Sequence, residues 1–210
     1  MSHIDRHPMG TFGTGRIEAL CDGVFAIIMT LLVFDIKLPE VDPAQLSTAI
    51  IELWPSFVGY AISFVLLGIY WLGHRAQDQY ILHADQNLHW LNILFFAFSG
   101  LIPFSTGLVA LYHDQWLAVA IYGLNLILIG VSLYLHWQYA IHHPRLVADE
   151  LTSTVARFGS LRCLLAPFCY LIAVLLGLLN PRFSLVLFAL VPVLYIVPPL
   201  QRLWLRFAQR

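Results

Sequence analysis

Ionisable residues stand at defined places in an otherwise apolar run, residues 16–38. Arg16 and Asp22 lie in its first part and Asp35 lies near its end, with no charged residue between the two aspartates. A helix over this run is about 34 Å long at about 1.5 Å per residue, enough to cross the hydrocarbon core of a bilayer. Charged groups in such a helix are costly and usually face the protein interior or a water-filled path. The run therefore predicts a retained membrane span whose ionisable residues have a functional role.

One face of this helix combines small, apolar and hydroxyl side chains. At about 100° per residue, a single stripe is formed by Gly23, Ile27, Thr30, Leu31 and Phe34. If several copies of the helix surround an axis, the three bulky side chains give stacked apolar rings, which can gate a pore by dewetting. The same spacing also describes an ordinary packing face, and the pattern alone favours that alternative.

The charged ends of the run have separate expected roles. Asp22 lies away from the stripe, and we expect Arg16 and His74 to pair with it and to tie the first helix to the second. A proton-relay carboxylate is the alternative for Asp22. Asp35 lies on the flank of the stripe near the outer end, where a carboxylate raises the local concentration of cations.

The composition is that of a polytopic membrane protein. Of the 210 residues, 60% are hydrophobic and 11% are charged, and the mean hydropathy is +0.77. A soluble domain carries about 25% charged residues. The net charge of −1 gives no indication of a nucleic-acid partner. The fold class predicted is all-α, with membrane lipid around it.

The sequence offers no enzyme motif, and we expect neither catalytic residues nor a cofactor. Cys21, Cys163 and Cys169 lie in or beside apolar segments without metal-ligand spacing, so we expect packed free thiols and no metal site. Most histidines lie near one end of the predicted spans. They could make the protein sensitive to pH or bind metal, but plain surface residues are the simpler interpretation.

Six apolar segments are long enough for transmembrane helices, and helices satisfy their own backbone in lipid. They cover about residues 16–38, 46–73, 88–110, 115–138, 156–179 and 183–205. The predicted organisation is an N-terminal cytoplasmic segment 1–15, a channel domain 16–205 and a basic cytoplasmic tail 206–210.

The placement of Lys and Arg orients these spans. With a cytoplasmic N-terminus, the outer side holds only Lys37 and Arg182, and all nine other Lys and Arg residues lie inside. This positive-inside bias predicts an even number of spans with both termini in the cytoplasm, in the cell (inner) membrane of a bacterium.

Short motifs resemble the transmembrane protein 175 family of potassium channels, in its short prokaryotic branch. The stretch R-I-E-A-L-C-D-G-V-F-A-I, from Arg16 to Ile27, is similar to the RxxxFSD signature that opens the family's first helix, with Leu20-Cys21 in place of Phe-Ser. Three further motifs look like those of the second and third helices: G-I-Y-W-L-G-H-R from Gly68, W-L-N from Trp90 and L-I-P-F from Leu101.

The resemblance implies six helices per subunit and a homotetramer around four copies of helix one. It implies conduction of potassium ions without the TVGYG filter of ordinary potassium channels. It further implies that Ile27 forms the narrowest ring, that Thr30 belongs to a selectivity layer, and that a motif network supports the inner end of the helix: Arg16, Leu20, Cys21, Asp22 and His74.

The sequence thus predicts a tetrameric potassium-selective channel with a hydrophobic constriction of Ile27, Leu31 and Phe34. A secondary transporter, or a proton-conducting or proton-coupled carrier, is the main alternative and would show coupled, saturable flux. A small membrane-embedded enzyme or scaffold, a third class, would show no ion flux.

Overall fold

The computed structural model describes residues 12–37 and 39–196. Within them the chain is almost entirely helical. The α-helices are α1 (Gly15–Leu31), α2 (Leu46–Glu52), α3 (Trp54–Asp78), α4 (Gln86–Gly100), α5 (Ile102–Leu111), α6 (Trp116–Ile141), α7 (Ser153–Gly177) and α8 (Pro181–Ile196). Two short strands, β1 (Phe12–Gly13) and β2 (His83–Ala84), pair antiparallel.

Five stretches of the described chain are long and apolar enough to cross a membrane. They are Gly15–Asp35, Trp54–Asp78, Gln86–Leu111, Trp116–Ile141 and Ser153–Gly177, and α8 is a shorter apolar helix of 16 residues. This architecture confirms the predicted all-α polytopic membrane fold. Residues 1–11 of the predicted N-terminal segment, residues 197–205 of the sixth predicted span and the predicted tail 206–210 lie outside the described residues.

Two predicted spans are interrupted where a proline follows. The segment predicted over 46–73 is divided into α2 and α3 at Leu53, two residues before Pro55, and the segment predicted over 88–110 is divided into α4 and α5 at Leu101, two residues before Pro103. Proline has no backbone N–H and fits best in the first turn of a helix, where no intrahelical bond is lost. Each proline therefore begins a new helix instead of kinking an existing one.

Helix ends also differ from the predicted bounds. The α-helix of the first span ends at Leu31 and continues as a 3₁₀ turn over Leu32–Asp35, whereas the sequence predicted a span to residue 38. The second span runs to Asp78, beyond the predicted residue 73. The polar residues after residue 73 still form helix because several of them face inward and find partners, as described below.

Helix α6 lies at the centre of the subunit and packs against α4, α5, α7 and α8. Glycines allow the closest of these contacts, between α6 and α7. A Cβ atom at Gly130 would stand 2.5 Å from Cγ of Pro167, and one at Gly159 would stand 2.7 Å from Nε1 of Trp137. Small residues let helices approach closely in membranes, where packing rather than water expulsion drives association.

The segments predicted to face the cytoplasm meet at one end of the bundle. Strand β1, just before α1, pairs with β2 in the α3–α4 connection. The same connection pairs with the α6–α7 loop through the bridge between Ile81 and Val147. At the other end, Arg182 pairs with Asp114 at 3.3 Å. We call the end where these loops meet the inner end, and the end of Asp114 and Arg182 the outer end, after the predicted orientation.

Candidate functional site

Helix α1 has one face inside the subunit and one face without cover from it. The inner face packs on α3, α4 and α5 through buried side chains: Cys21, Phe25, Ile28 and, in the following 3₁₀ turn, Leu32. The opposite face of α1 and of the 3₁₀ turn carries the three bulky side chains that the sequence places in one stripe, with Phe34 in the turn. Ile27 is 60% exposed, Leu31 44% and Phe34 71%. We call these three residues the α1 stripe.

Thr30 and Gly23 are exposed like the α1 stripe. The Thr30 hydroxyl donates to backbone carbonyls of its own helix, 2.8 Å from Ile27 O and 3.1 Å from Ala26 O. Its hydrogen is therefore engaged, while the lone pairs of its oxygen can still coordinate a cation. The uncovered face thus offers an apolar section with an oxygen ligand beside it.

Asp35, predicted at the outer mouth, rests against α5 of its own subunit. Its Oδ1 atom lies 3.0 Å from the position that a Cβ atom at Gly107 would take, so only glycine leaves room for the carboxylate there. The residue is half-buried, and within the described residues its Oδ2 atom has no hydrogen-bond partner. The carboxylate therefore stands at the outer end of the α1 segment, held beside α5.

At the inner end, Asp22 has a different partner from the predicted one. Its Oδ1 atom accepts a hydrogen bond of 2.8 Å from Nε1 of Trp71, and within the described chain no hydrogen bond or ion pair joins it to Arg16 or His74. Trp71 is one turn before His74 on α3, so the predicted tie between the two helices exists through a neighbouring side chain. Arg16 is exposed.

Two further contacts join the same pair of helices. The thiol of Cys21, fully buried, lies 3.6 Å from Nδ1 of His74. Arg75 Nη1 donates to Glu18 Oε2 at 3.4 Å, in an ion pair that is partly exposed. Leu20 is half-exposed and stands outside this network. The long Cys21–His74 distance fits the weak hydrogen bonding of a thiol, which is a poor donor and a poor acceptor.

A chain of buried polar side chains continues from His74 into the subunit. His74 Nε2 lies 2.6 Å from Asn92 Oδ1, Asn92 Nδ2 lies 3.1 Å from His136 Nε2, and His136 Nδ1 lies 2.8 Å from Gln77 Oε1. Gln77 Nε2 then donates to Cys163 at 3.3 Å. His74 Nδ1 also lies 2.9 Å from Oδ2 of Asp78, one turn later on α3. The contacts are self-consistent when His74 carries a hydrogen on each ring nitrogen, facing Asp78 and Asn92, and when Asn92 donates to His136 and His136 to Gln77.

This network joins α1, α3, α4, α6 and α7, and sequence reasoning found only part of it. The sequence predicts surface positions for most histidines, but His136 is 1% exposed. Asn92 and Gln77 are buried as well. The available signal was the cost of a polar side chain in an apolar span, which places such residues in the protein interior.

The inner loops are fastened around Asp85. This carboxylate caps α4 by accepting from Leu88 N at 3.0 Å, and it also accepts from Tyr139 at 2.9 Å and pairs with Arg145 at 3.1 Å. Burial alone would raise its pKa, but these three hydrogen bonds outweigh burial and lower the pKa below its ordinary value. Asp85 directly follows β2, and β2 pairs with β1, which directly precedes α1. The ion pair is therefore connected to the start of α1 through this strand pair.

The described part of the chain brings no three His, Cys, Asp or Glu side chains together in a metal-binding group. The three cysteines are free thiols, as the sequence predicts. The candidate functional features are therefore the uncovered face of α1, the buried polar network that starts at His74, and the loops joined by the ion pair of Asp85.

Comparisons with known proteins agree on one family. The family described as "Endosomal/lysosomal potassium channel TMEM175" matches residues 16–103. A potassium channel of Streptomyces collinus is 30% identical over 187 residues, covering 87% of this chain and 91% of that protein. An endosomal/lysosomal proton channel TMEM175 of Gallus gallus is 31% identical over 157 residues, covering 69% of this chain and 30% of that protein.

A solved structure shares the fold. The crystal structure of a lysosomal potassium-selective channel TMEM175 homolog from Chamaesiphon minutus superposes with a TM-score of 0.76 at 26% identity, covering 87% of this chain and 95% of that chain. The family's relatives are named as ion channels. With the family match over residues 16–103 and the identity to the Streptomyces protein over nearly the whole of both chains, the present chain belongs to the TMEM175 family.

Proposed function

We propose that this protein is a potassium-selective channel whose ion path is lined by α1. The observation that supports this most is the division of α1 into a packed face and an uncovered face. Three bulky apolar residues, the α1 stripe, are 44–71% exposed in one subunit, whereas Cys21, Phe25, Ile28 and Leu32 on the other face are at most 5% exposed. Family membership and the names of the bacterial relatives point to the same activity.

We further propose that four copies assemble around the α1 helices. A single subunit of this size has no path of its own along α1, and closed symmetry is the usual outcome when identical faces meet. In such an assembly the α1 stripe gives three stacked rings. The likeness to the Chamaesiphon channel supports this arrangement.

The chemistry of the stripe suits a gate. Four isoleucine side chains at Ile27 offer no ligand to a cation, so an ion can pass only with its water shell. A narrow apolar ring excludes that water, and the ring therefore blocks the ion until it widens. Thr30 is three residues further along the helix and can supply oxygen ligands beyond the ring. We therefore assign Ile27, Leu31 and Phe34 to the constriction and Thr30 to a selectivity layer. We propose neither a catalytic role nor a cofactor other than permeant potassium ions.

We propose a bacterial cell membrane as the location, with both termini in the cytoplasm. Nine of the eleven Lys and Arg residues belong to the end where β1, the α3–α4 connection and the α6–α7 loop meet, or to segments predicted on that side. Asp35 then lies at the outer end, where its negative charge would concentrate cations.

The test is flux from liposomes loaded with potassium, with a protonophore to balance charge. We expect release of potassium from proteoliposomes and none from empty vesicles, with less sodium flux under a matched sodium gradient. A mass of four subunits in mild detergent should accompany the activity. Flux from a stable monomer would contradict the pore model.

A second candidate is proton conduction. The Gallus relative is named as a proton channel, and the chain covers 30% of that protein's length. The same liposomes without protonophore separate potassium conduction from proton conduction. A potassium ionophore then lets potassium leave, and acidification of the liposome interior would show that protons enter through the protein. Saturable, coupled fluxes of the two ions would instead identify a proton-coupled carrier.

A further inference from the structure

Arg162 lies beside a cavity near the inner end of the bundle. The cavity measures about 240 Å³ and is lined by α3, α6 and α7, with Tyr195 of α8 at its side. We call it the α3–α7 cavity. It is larger than a protein cavity of about 150 Å³ that holds benzene and smaller than pockets of about 300–1,000 Å³ that hold drug-sized ligands. This size fits a section of a hydrocarbon chain.

Three buried polar side chains in the cavity wall already have hydrogen-bond partners. Tyr70 donates to Leu126 O at 2.8 Å, and Trp137 Nε1 donates to Ala156 O at 3.0 Å. Gln77 uses its carbonyl and its amide within the buried network described above. A polar guest would lose its hydrogen bonds to water without replacement, so the wall selects an apolar guest.

Arg162 supplies the charge that such a guest must match. It is half-buried, and its guanidinium carbon lies 5.6 Å from the centre of the Tyr195 ring. Among the ion pairs of residues 12–37 and 39–196, none joins Arg162 to a carboxylate. A partly buried cation without a carboxylate is best accommodated by an anion from outside the subunit.

We propose that the α3–α7 cavity binds one acyl chain of an anionic phospholipid, whose phosphate pairs with Arg162. The apolar wall and the single cation at its side match the two halves of that molecule, and α7 presents exposed apolar residues for the rest of the lipid. The chain's own segment 197–210 is the competing occupant. It contains Arg202, Arg206 and Arg210 and no Asp or Glu, so it carries the same sign of charge as Arg162.

The experiment measures retained lipid by native mass spectrometry after incubation with an equimolar mixture of phosphatidylglycerol and phosphatidylcholine with identical chains. We expect the wild-type protein to retain phosphatidylglycerol about fivefold over phosphatidylcholine, the ratio that corresponds to about 1 kcal/mol for one basic residue. Arg162→Gln should bring the ratio close to one, and Arg162→Lys should preserve the preference. Arg157→Gln is the matched control, because Arg157 is exposed on the same helix and does not line the cavity.

A second variant tests the cavity rather than the charge. Ala76 lines the cavity from an exposed position, so Ala76→Leu should fill space without disturbing the core, and it should lower retention of both lipids. Equal retention of the two lipids by the wild-type protein overturns the proposal, and this is also the result expected if segment 197–210 occupies the cavity. Wild-type lipid retention by both Arg162→Gln and Ala76→Leu overturns it as well. None of these measurements requires ion flux, so they stand apart from the proposed channel activity.

Discussion

Ile27 and Ile28 are adjacent in sequence and lie on two sides of the boundary between the uncovered and the packed face of α1. Ile27 is 60% exposed in the subunit, whereas Ile28 is 5% exposed and belongs to the core formed with α3, α4 and α5. Consecutive helical residues are separated by about 100°, so a boundary between packed and uncovered faces can fall between them. Replacing Ile28 should therefore change the stability of the fold, whereas replacing Ile27 should change ion conduction and selectivity.

Replacing Ile28 should affect stability. Ile28→Ser removes buried methyl groups and places a hydroxyl among apolar side chains, which should cost at least about 2 kcal/mol. We expect a lower unfolding temperature in detergent, with the ion selectivity unchanged in the protein that remains folded. A full loss of selectivity at unchanged stability would place Ile28, not Ile27, at the ion path.

The buried polar network should contribute to the stability of the fold, and Asn92 is the residue that tests this. Asn92→Ala leaves nitrogen atoms of His74 and His136 without a partner in the interior, at a cost of about 1–3 kcal/mol for each buried group. We expect a clear fall in the unfolding temperature. Ser99→Ala is the matched control on the same helix, because the buried Ser99 hydroxyl only donates to Phe95 O of its own helix. Equal effects of the two changes would mean that the network contributes nothing beyond local helix contacts.

Both the correct and the incorrect sequence predictions have physical reasons. The membership of the α1 stripe could be predicted because helical periodicity determines which residues share a face, but periodicity alone favoured a packed face and did not predict that this one is uncovered. The partner of Asp22 could not, because Trp71 and His74 lie one turn apart on α3 and a small rotation of that helix selects between them. The role of His136 depends on contacts with residues 44 and 59 positions away in the chain, which no local pattern reports.

The inner loops should lose stability in acid through Asp85. A carboxyl whose folded-state pKa is lowered stabilises the fold fully above its ordinary pKa of 3.8, and this contribution disappears as the pH falls through the lower folded-state value. We expect the unfolding temperature of the wild-type protein to fall more steeply below pH 4 than that of Asp85→Asn. Asp114→Asn, on an exposed ion pair at the other end, is the control and should keep the wild-type slope.

The outer carboxylate should act through its charge. Asp35→Asn keeps the size of the side chain next to Gly107 and removes the charge, so it should reduce inward potassium current more at low than at high ionic strength. Current amplitudes at two salt concentrations check this, with Asp114→Asn as a comparison at the same end. An equal reduction of current at both salt concentrations would point to a structural defect.

The α1 stripe as ion path is tested most directly at Ile27. Ile27→Ser should hydrate the narrowest ring, raise single-channel conductance and weaken the discrimination between potassium and sodium, since a wet ring no longer excludes the hydrated ion. Ile172→Ser, an exposed isoleucine on α7, is the control and should leave both quantities unchanged. The measurement is the bi-ionic reversal potential with the current amplitude, for both variants and the wild-type protein in folded tetramers. A shift of the reversal potential towards zero in Ile27→Ser alone is the predicted result, and an unchanged potential and amplitude in that variant would contradict α1 as the pore helix.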